Sequence, residues 1–138
     1  TEAYYTEFSR NGGSRPIVVS YATCPAAEVF YSKEKIPESP TATRFRQGGV
    51  FRQVEGVALV KGGKERAAAA QFVEFLRSAA VQKSLQTEMW MYPAQIGTAR
   101  AEVMRHAAEP AAFEAPAAQV IASQGTAWVA RWTKVVLK

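Results

Sequence analysis

The chain has 138 residues, a net charge of +5 and a single cysteine. One cysteine excludes an internal disulfide and a cysteine-based zinc cluster within the chain. The Lys and Arg residues are scattered without a tight run, so the charge disfavours a nucleic-acid-binding module and indicates a solvated basic surface. No apolar run approaches the roughly 18 to 20 residues that span a bilayer, and no basic-then-apolar signal segment stands at the start.

The first third of the chain predicts a helix, a strand and a second helix. Residues 2–10 carry helical spacing and end at a stop signal, the Asn-Gly-Gly of 11–13. The run 16–21 is rich in β-branched residues and predicts a short buried strand. Because proline is favoured at the first helical position, we expect Cys24 to cap a helix over 25–33.

The middle of the chain predicts a loop, two strands and two helices. Prolines and hydroxyl residues punctuate 34–43, which indicates an exposed loop. Residues 44–47 and 53–61 predict strands. Apolar residues recur with helical spacing through 64–78 and form a stripe that is expected to be buried. A second helix is predicted over 79–88.

The last part of the chain predicts one loop and one long helix. The aromatic segment 89–93 has no clear periodicity and is predicted to be a loop, with a short helix around 99–107. The final helix is predicted over 117–136, and its apolar stripe places Trp128 and Trp132 in the core. Strands interleaved with helices indicate an α/β fold class, although the strands are too few to close a complete sheet.

Two parts of the sequence resemble one group of proteins. Residues 56–82 resemble the strand-helix-helix passage of substrate-binding proteins of the iron, polyamine and thiamine type. Residues 19–26 (VSYATCPA) resemble the Ser-Tyr-x-Thr-Ser-Pro-Ala-Tyr segment of thiamine-binding periplasmic proteins. Residues 90–93 (WMYP) resemble the Asn-Trp-Met-Tyr-Pro segment of the same family. The order and approximate spacing of these blocks also match.

The resemblance implies an incomplete periplasmic-binding-protein type 2 fold, a helix-rich C-terminal part with a few strands. Residues 1–21 would form the end of one lobe and a strand that crosses the hinge. Residues 22–138 would form the return segment and the C-terminal helices of a two-lobed protein. We therefore expect the N-terminal half of the protein, with its export signal, to lie outside this chain.

The resemblance also implies a function in transport and not in catalysis. The protein would be the solute-binding component of an ABC importer, in the periplasm or another extracytoplasmic location. It would capture thiamine, thiamine monophosphate or thiamine diphosphate and deliver it to the permease subunits in the membrane. No cofactor, metal or nucleic acid is implied.

Six residues are predicted to bind the ligand. They are Ser20, Tyr21, Thr23, Cys24, Trp90 and Tyr92. The resemblance assigns the cationic thiazolium ring to the aromatic faces of Tyr21 and Trp90, since such faces attract cations. A phosphate group would meet the hydroxyls of Ser20 and Thr23 and the helix start at Cys24. Tyr92 is also expected to have a structural role.

Three departures from the family pattern leave the ligand open. Cys24 replaces the second serine of the family segment, Ala27 replaces its tyrosine, and Met89 replaces the asparagine before Trp. The change at Ala27 removes one aromatic wall. The alternative is therefore a binding protein for another small cation, such as ferric iron or a polyamine. Adjacent tyrosines are metal ligands in related iron binders, and Tyr4 and Tyr5 are such a pair.

An enzyme of the cysteine–histidine type would have to use Cys24 with His106. No flanking signature accompanies either residue. His106 lies among alanines in a segment predicted to form a surface helix. The sequence therefore predicts a binding protein.

Overall fold

A computed structural model describes residues 6–45 and 49–137. Within them the chain forms four α-helices and two 3₁₀ helices. The α-helices are α1 (Cys24–Tyr31), α2 (Arg66–Arg77), α3 (Ala79–Glu88) and α4 (Ala118–Val136), and the 3₁₀ helices are Ser9–Asn11 and Glu102–His106. None of the described helices combines the length and the apolar character that a membrane span needs.

The described residues form two compact units. The first contains the described part of Thr1–Arg44 together with Glu55–Glu109. It holds α1, α2 and α3, and α1 packs against the 3₁₀ helix Glu102–His106. The second contains the described parts of Phe45–Val54 and Pro110–Lys138, with α4.

The helix predicted over 2–10 is wrong in its last turn, because Phe8 has an extended backbone and bridges to Arg15. The predicted stop at the glycines ends the 3₁₀ helix Ser9–Asn11, and residues 2–5 lie outside the described residues. Gly12 adopts a left-handed backbone with φ of 91°, and its N–H donates to the carbonyl of Ser9. At Gly13 a Cβ atom would overlap the backbone of Glu7. Glycine is therefore required at this turn, because the chain returns close to its own preceding residues.

Helix α1 begins one residue earlier than predicted. Cys24 is the first helical residue and Thr23 is the N-cap, so the prediction that Cys24 caps the helix is wrong. The pair Cys24 and Pro25 fits the start of a helix because proline lacks an N–H that would need a partner there. The helix ends at Tyr31, and the loop predicted over 34–43 has no regular structure.

Helices α2 and α3 agree with the sequence prediction to within two residues at each end. Ser78 separates them with an extended backbone, and its side-chain oxygen accepts a hydrogen bond from the N–H of Val81 at 3.4 Å. An N-cap serine that satisfies an otherwise orphan N–H begins a new helix at this point. Because this signal lies within one turn of the chain, the sequence predicts the boundary between α2 and α3.

The strands predicted over 16–21 and 53–61 do not form. Among the described residues the β-pairings are two isolated bridges, Phe8 with Arg15 and Phe51 with Glu114. The apolar side chains of both runs are exposed except for the half-buried Val18, as Val19 at 92% and Val60 at 80% show. A strand needs a neighbour to satisfy its N–H and C=O groups, and the described chain places none beside these runs. The strand over 44–47 lies partly outside the described residues.

The expected helix-rich character is thus confirmed, whereas the strands of the expected α/β class are not observed in residues 6–45 and 49–137. The predicted burial of the long helix stripes is also wrong for the described residues. On α2, Phe72 and Phe75 stack at 6.2 Å between ring centroids yet are 56% and 58% exposed. On α4, Trp128 and Trp132 are 41% and 55% exposed. Periodicity predicts that a stripe is apolar, but it does not provide the surface that covers the stripe.

Contacts around the isolated bridge between Phe51 and Glu114 hold the second unit together. The N–H of Glu114 donates to the carbonyl of Val50 at 2.6 Å. The guanidinium of Arg52 lies 3.7 Å from the centroid of the Phe113 ring, a cation–π contact.

The short helix expected around 99–107, in the first unit, is present as the 3₁₀ helix Glu102–His106.

Replacing Ser78 tests its role as the N-cap of α3. Ser78→Ala should lower the free energy of unfolding by about 0.5–1 kcal/mol, because the cap bond is long. Urea unfolding followed by far-UV circular dichroism measures it. Ser123→Ala is the matched control, since this exposed serine only donates to the Val120 carbonyl of its own helix. An equal loss in both variants would contradict the capping role.

Candidate functional site

The first motif segment forms a turn that leads into α1. The N–H of Cys24 donates to the carbonyl of Tyr21 at 3.1 Å, and Ser20 Oγ lies 3.0 Å from Cys24 Sγ. Tyr21 is 71% exposed, whereas Thr23 is buried at 6%. The structure therefore presents the phenol of Tyr21 to solvent and encloses the side chain of Thr23.

The start of α1 offers few donors to an anion. The N–H of Cys24 is already bonded within the turn, and Pro25 has no N–H. Ala26 is fully buried. A helix N-terminus binds phosphate through accessible N–H groups, so this one is poorly equipped for the part predicted for it.

Trp90 follows α3 with an unusual backbone. Its φ is 56°, a left-handed value that favours glycine and is an outlier for a bulky residue. The neighbouring Met89 and Met91 both donate their N–H groups to the carbonyl of Leu85, at 3.1 and 3.3 Å. The chain thus reverses around the indole, as glycine usually allows at a helix C-terminus. Such strain costs about 1–3 kcal/mol and is concentrated at functional sites.

The indole of Trp90 belongs to an aromatic cluster that we define as Phe30, Tyr31 and Trp90. Its ring centroid lies 5.4 Å from Phe30 and 5.6 Å from Tyr31, and the planes are tilted by 74° and 66°. Phe30 and Tyr31 make an edge-to-face contact at 5.2 Å. Rings at these distances touch and leave no space for a cation between them. Phe30 is 51% and Tyr31 is 65% exposed, so a ligand would meet the outer ring faces.

Tyr31 is the site candidate that sequence reasoning missed. Ala27 and Tyr31 are four residues apart on α1 and lie on one helix face. The family pattern has a tyrosine where this chain has Ala27, and Tyr31 brings a phenol to the same face one turn later. The i, i+4 spacing in the sequence was the available signal. About half of the surface of Phe30, the neighbouring ring on α1, is exposed.

Tyr92 is anchored to the fold of the first unit. Its hydroxyl donates to the carbonyl of Ala108 at 3.0 Å, and the guanidinium of Arg100 lies 4.4 Å from its ring centroid. Burial raises the pKa of Tyr92, the nearby Glu109 carboxylate raises it further, and Arg100 opposes them. The arrangement holds this phenol in its neutral, hydrogen-bonded form.

The residues of the alternative readings are not assembled into sites in the described part of the chain. His106 pairs through Nδ1 with Glu38 at 3.7 Å, while the Cys24 thiol contacts Ser20. Across residues 6–45 and 49–137, no group of three His, Cys, Asp or Glu side chains is placed to hold a metal ion. The tyrosine pair proposed for iron, Tyr4 and Tyr5, lies outside the described residues.

Comparison with known proteins supports the resemblance inferred from the motifs. The chain is 31% identical over 124 residues to the thiamine-binding periplasmic proteins of Salmonella typhimurium and Escherichia coli. The alignment covers 90% of this chain and 36% of each relative, so the chain spans about a third of the length of these curated relatives. No family model matches the chain, and no solved structure matches it. The predicted similarity to thiamine-binding periplasmic proteins is confirmed.

The raised pKa of Tyr92 predicts how stability falls at alkaline pH. The stabilisation is fully present below the unfolded pKa of about 10 and is lost as the pH rises through the higher folded pKa. Tyr92→Phe should flatten this fall and, through loss of the bond to Ala108, lower stability at neutral pH by about 0.5–1.5 kcal/mol. Urea unfolding at several pH values measures both effects.

The control for this experiment is Tyr21→Phe, which removes a hydroxyl from an exposed ring and leaves the half-buried phenol of Tyr92 in place. A Tyr92→Phe variant with the same alkaline fall as the parent would show that Tyr92 is not the group responsible.

Proposed function

We propose that this chain is part of a solute-binding protein that captures thiamine or one of its phosphates. The proposal is supported by the 31% identity to two thiamine-binding periplasmic proteins and by the motif residues around Tyr21 and Trp90. The names of these relatives describe binding proteins, which favours ligand capture over catalysis.

The observation that carries the proposal is the aromatic cluster, in which Phe30 and Tyr31 are exposed and a strained Trp90 is half-buried. Thiamine has a permanently cationic thiazolium ring and an aromatic pyrimidine ring. Outer faces of Tyr31 and Trp90 suit both, through cation–π attraction and stacking. Each cation–π contact contributes about 0.5–2 kcal/mol, depending on how far the site excludes water.

The described residues offer better contacts to the rings of the ligand than to a phosphate group. The start of α1 has its Cys24 N–H engaged and Thr23 enclosed. We therefore propose that phosphate, when present on the ligand, is bound mainly by residues outside this chain. Ser20 and Tyr21, which are exposed, remain candidates for contacts at the edge of the site.

A two-lobed protein of the type 2 periplasmic-binding fold is the proposed context. In it, residues 1–21 lead out of one lobe, residues 22–138 form the return segment and the last helices, and an N-terminal half completes the protein. The 36% coverage of each relative and the exposed apolar faces of α2 and α4 support this arrangement. Ligand would be enclosed by hinge closure and passed to ABC permease subunits from the periplasm.

A polyamine or another small organic cation is the second candidate. The aromatic cluster recognises positive charge and offers no described group that is specific for a pyrimidine ring. Ala27, in place of the family's tyrosine, removes one aromatic wall, and this change also favours a ligand other than thiamine.

Titration calorimetry on the full-length protein that contains this chain tests the proposal. Thiamine and its two phosphates should each release or absorb heat on binding. Trp90→Ala should weaken binding by at least about tenfold, because it removes a cation–π face and the packing of the cluster. Tyr31→Ala should weaken it by a smaller factor, and the isolated chain should bind weakly or not at all.

The controls are Trp90→Phe and Tyr31→Phe, which keep an aromatic face at each position and should retain more affinity than the alanine variants. Spermidine is titrated in parallel. Heat with spermidine alone would favour the second candidate, and silence with all three thiamine compounds would refute the ligand assignment.

A further inference from the structure

We propose that Gln82 and Gln86 are positioning residues, which fix the loop after α3 and thereby hold Trp90 in the aromatic cluster. Nothing in the resemblance or in the relatives' names assigns this part to them. The role of Trp90 in ligand capture rests on the function proposed above, whereas the positioning itself is a property of the chain.

The two glutamines project from α3 four residues apart and therefore on one helix face. Gln82 is 7% exposed and Gln86 is fully buried, and Gln86 is the largest fully buried side chain among the described residues. A primary amide in a protein interior is unfavourable unless its donors and acceptors find partners. Their burial on one face therefore calls for an explanation in terms of the bonds they make.

Gln82 binds two backbone N–H groups of the loop. Its Oε1 accepts from Ala94 at 2.8 Å and from Gln95 at 3.2 Å, while its Nε2 donates to the carbonyl of Leu76 on α2 at 2.9 Å. The side chain thus connects the loop on one side with the end of α2 on the other.

Gln86 binds the far end of the same loop. Its Oε1 accepts from the N–H of Ala101 at 2.9 Å, and its Nε2 donates to the carbonyl of Ala99 at 3.0 Å and more distantly to that of Lys83 at 3.5 Å. Both hydrogen-bonding groups of this amide are therefore engaged, and the contacts to Ala99 and Ala101 grip the backbone from both its donor and acceptor sides.

These bonds bear on Trp90 because residues 89–101 contain no helix or strand of their own. A segment without regular structure depends on side-chain partners to keep one conformation. The loop begins at Met89 and Trp90 and is gripped at residues 94–95 and 99–101. Without that grip, the left-handed backbone of Trp90 would be free to relax and to withdraw the indole from Phe30 and Tyr31.

The test uses tryptophan emission with Trp90 as the sole indole. The chain has three tryptophans, and the other two, Trp128 and Trp132, are exposed on α4 and are replaced by Phe. In this background, Gln82→Leu and Gln86→Leu should each raise the acrylamide quenching of Trp90 about twofold and shift its emission to longer wavelength. Gln71→Leu, at an exposed glutamine of α2, is the matched control and should change neither.

A purely stabilising role is distinguished by a second pair of variants. Gln82→Glu keeps the oxygen that accepts from Ala94 and Gln95 and loses only the donor to Leu76, which lies on α2 and outside the loop, so the emission of Trp90 should change less than in Gln86→Glu. Gln86→Glu turns the donor to Ala99 into an acceptor facing a carbonyl, so quenching should rise. If buried charge were the only effect, both glutamate variants would behave alike.

The inference is overturned if the leucine variants retain the circular dichroism of the parent and show parental quenching, whatever their melting temperatures. Should the leucine variants fail to fold, the contrast between the two glutamate variants decides, and equal quenching in both overturns the inference. No ligand is present in any of these measurements. A normal emission pattern without thiamine binding would thus leave the positioning role intact and refute only the function proposed above.

Discussion

The first unit depends on the capture of loop backbone by two buried amide side chains. Its described interior has few large apolar residues, with Ala26 and Met104 the buried hydrophobic ones, while Gln82 and Gln86 fill the space beneath the loop. Every buried side-chain N or O atom among the described residues has a hydrogen-bond partner. A satisfied polar interior of this kind specifies one loop conformation more sharply than apolar contacts do, because each bond has a required direction.

The sequence predicted those elements whose signals are local. Helices α2, α3 and α4 end within two residues of their predicted limits, since apolar spacing and the cap at Ser78 are legible within one turn. The prediction of strands over 16–21 and 53–61 was wrong because β-structure requires a pairing partner, which a local sequence pattern does not identify. The prediction that the apolar stripes of α2 and α4 are buried was wrong for the same reason. A stripe such as that of Trp128 and Trp132 does not identify the surface that covers it.

The candidate site was predictable in part. The family motif directed attention to Trp90 and Tyr21, and the structure adds Phe30 and Tyr31 as the rings that contact Trp90. The i, i+4 spacing places Tyr31 on the helix face of Ala27, but it does not predict the contact with Trp90, because the docking of a loop onto α1 is a tertiary event. The roles of the six motif residues in binding stay predictions, and the described geometry favours the aromatic ones over Thr23, which is enclosed.

The left-handed backbone of Trp90 has a consequence for anyone who engineers this protein. Glycine adopts such a φ without strain, so the backbone at this position favours glycine over tryptophan. Keeping the indole of Trp90 therefore costs stability. Selection for heat resistance alone would tend to discard the ring, whereas selection for the proposed capture of a cationic ligand would retain it. Thermostability and the proposed ligand capture would then be competing demands on one torsion angle.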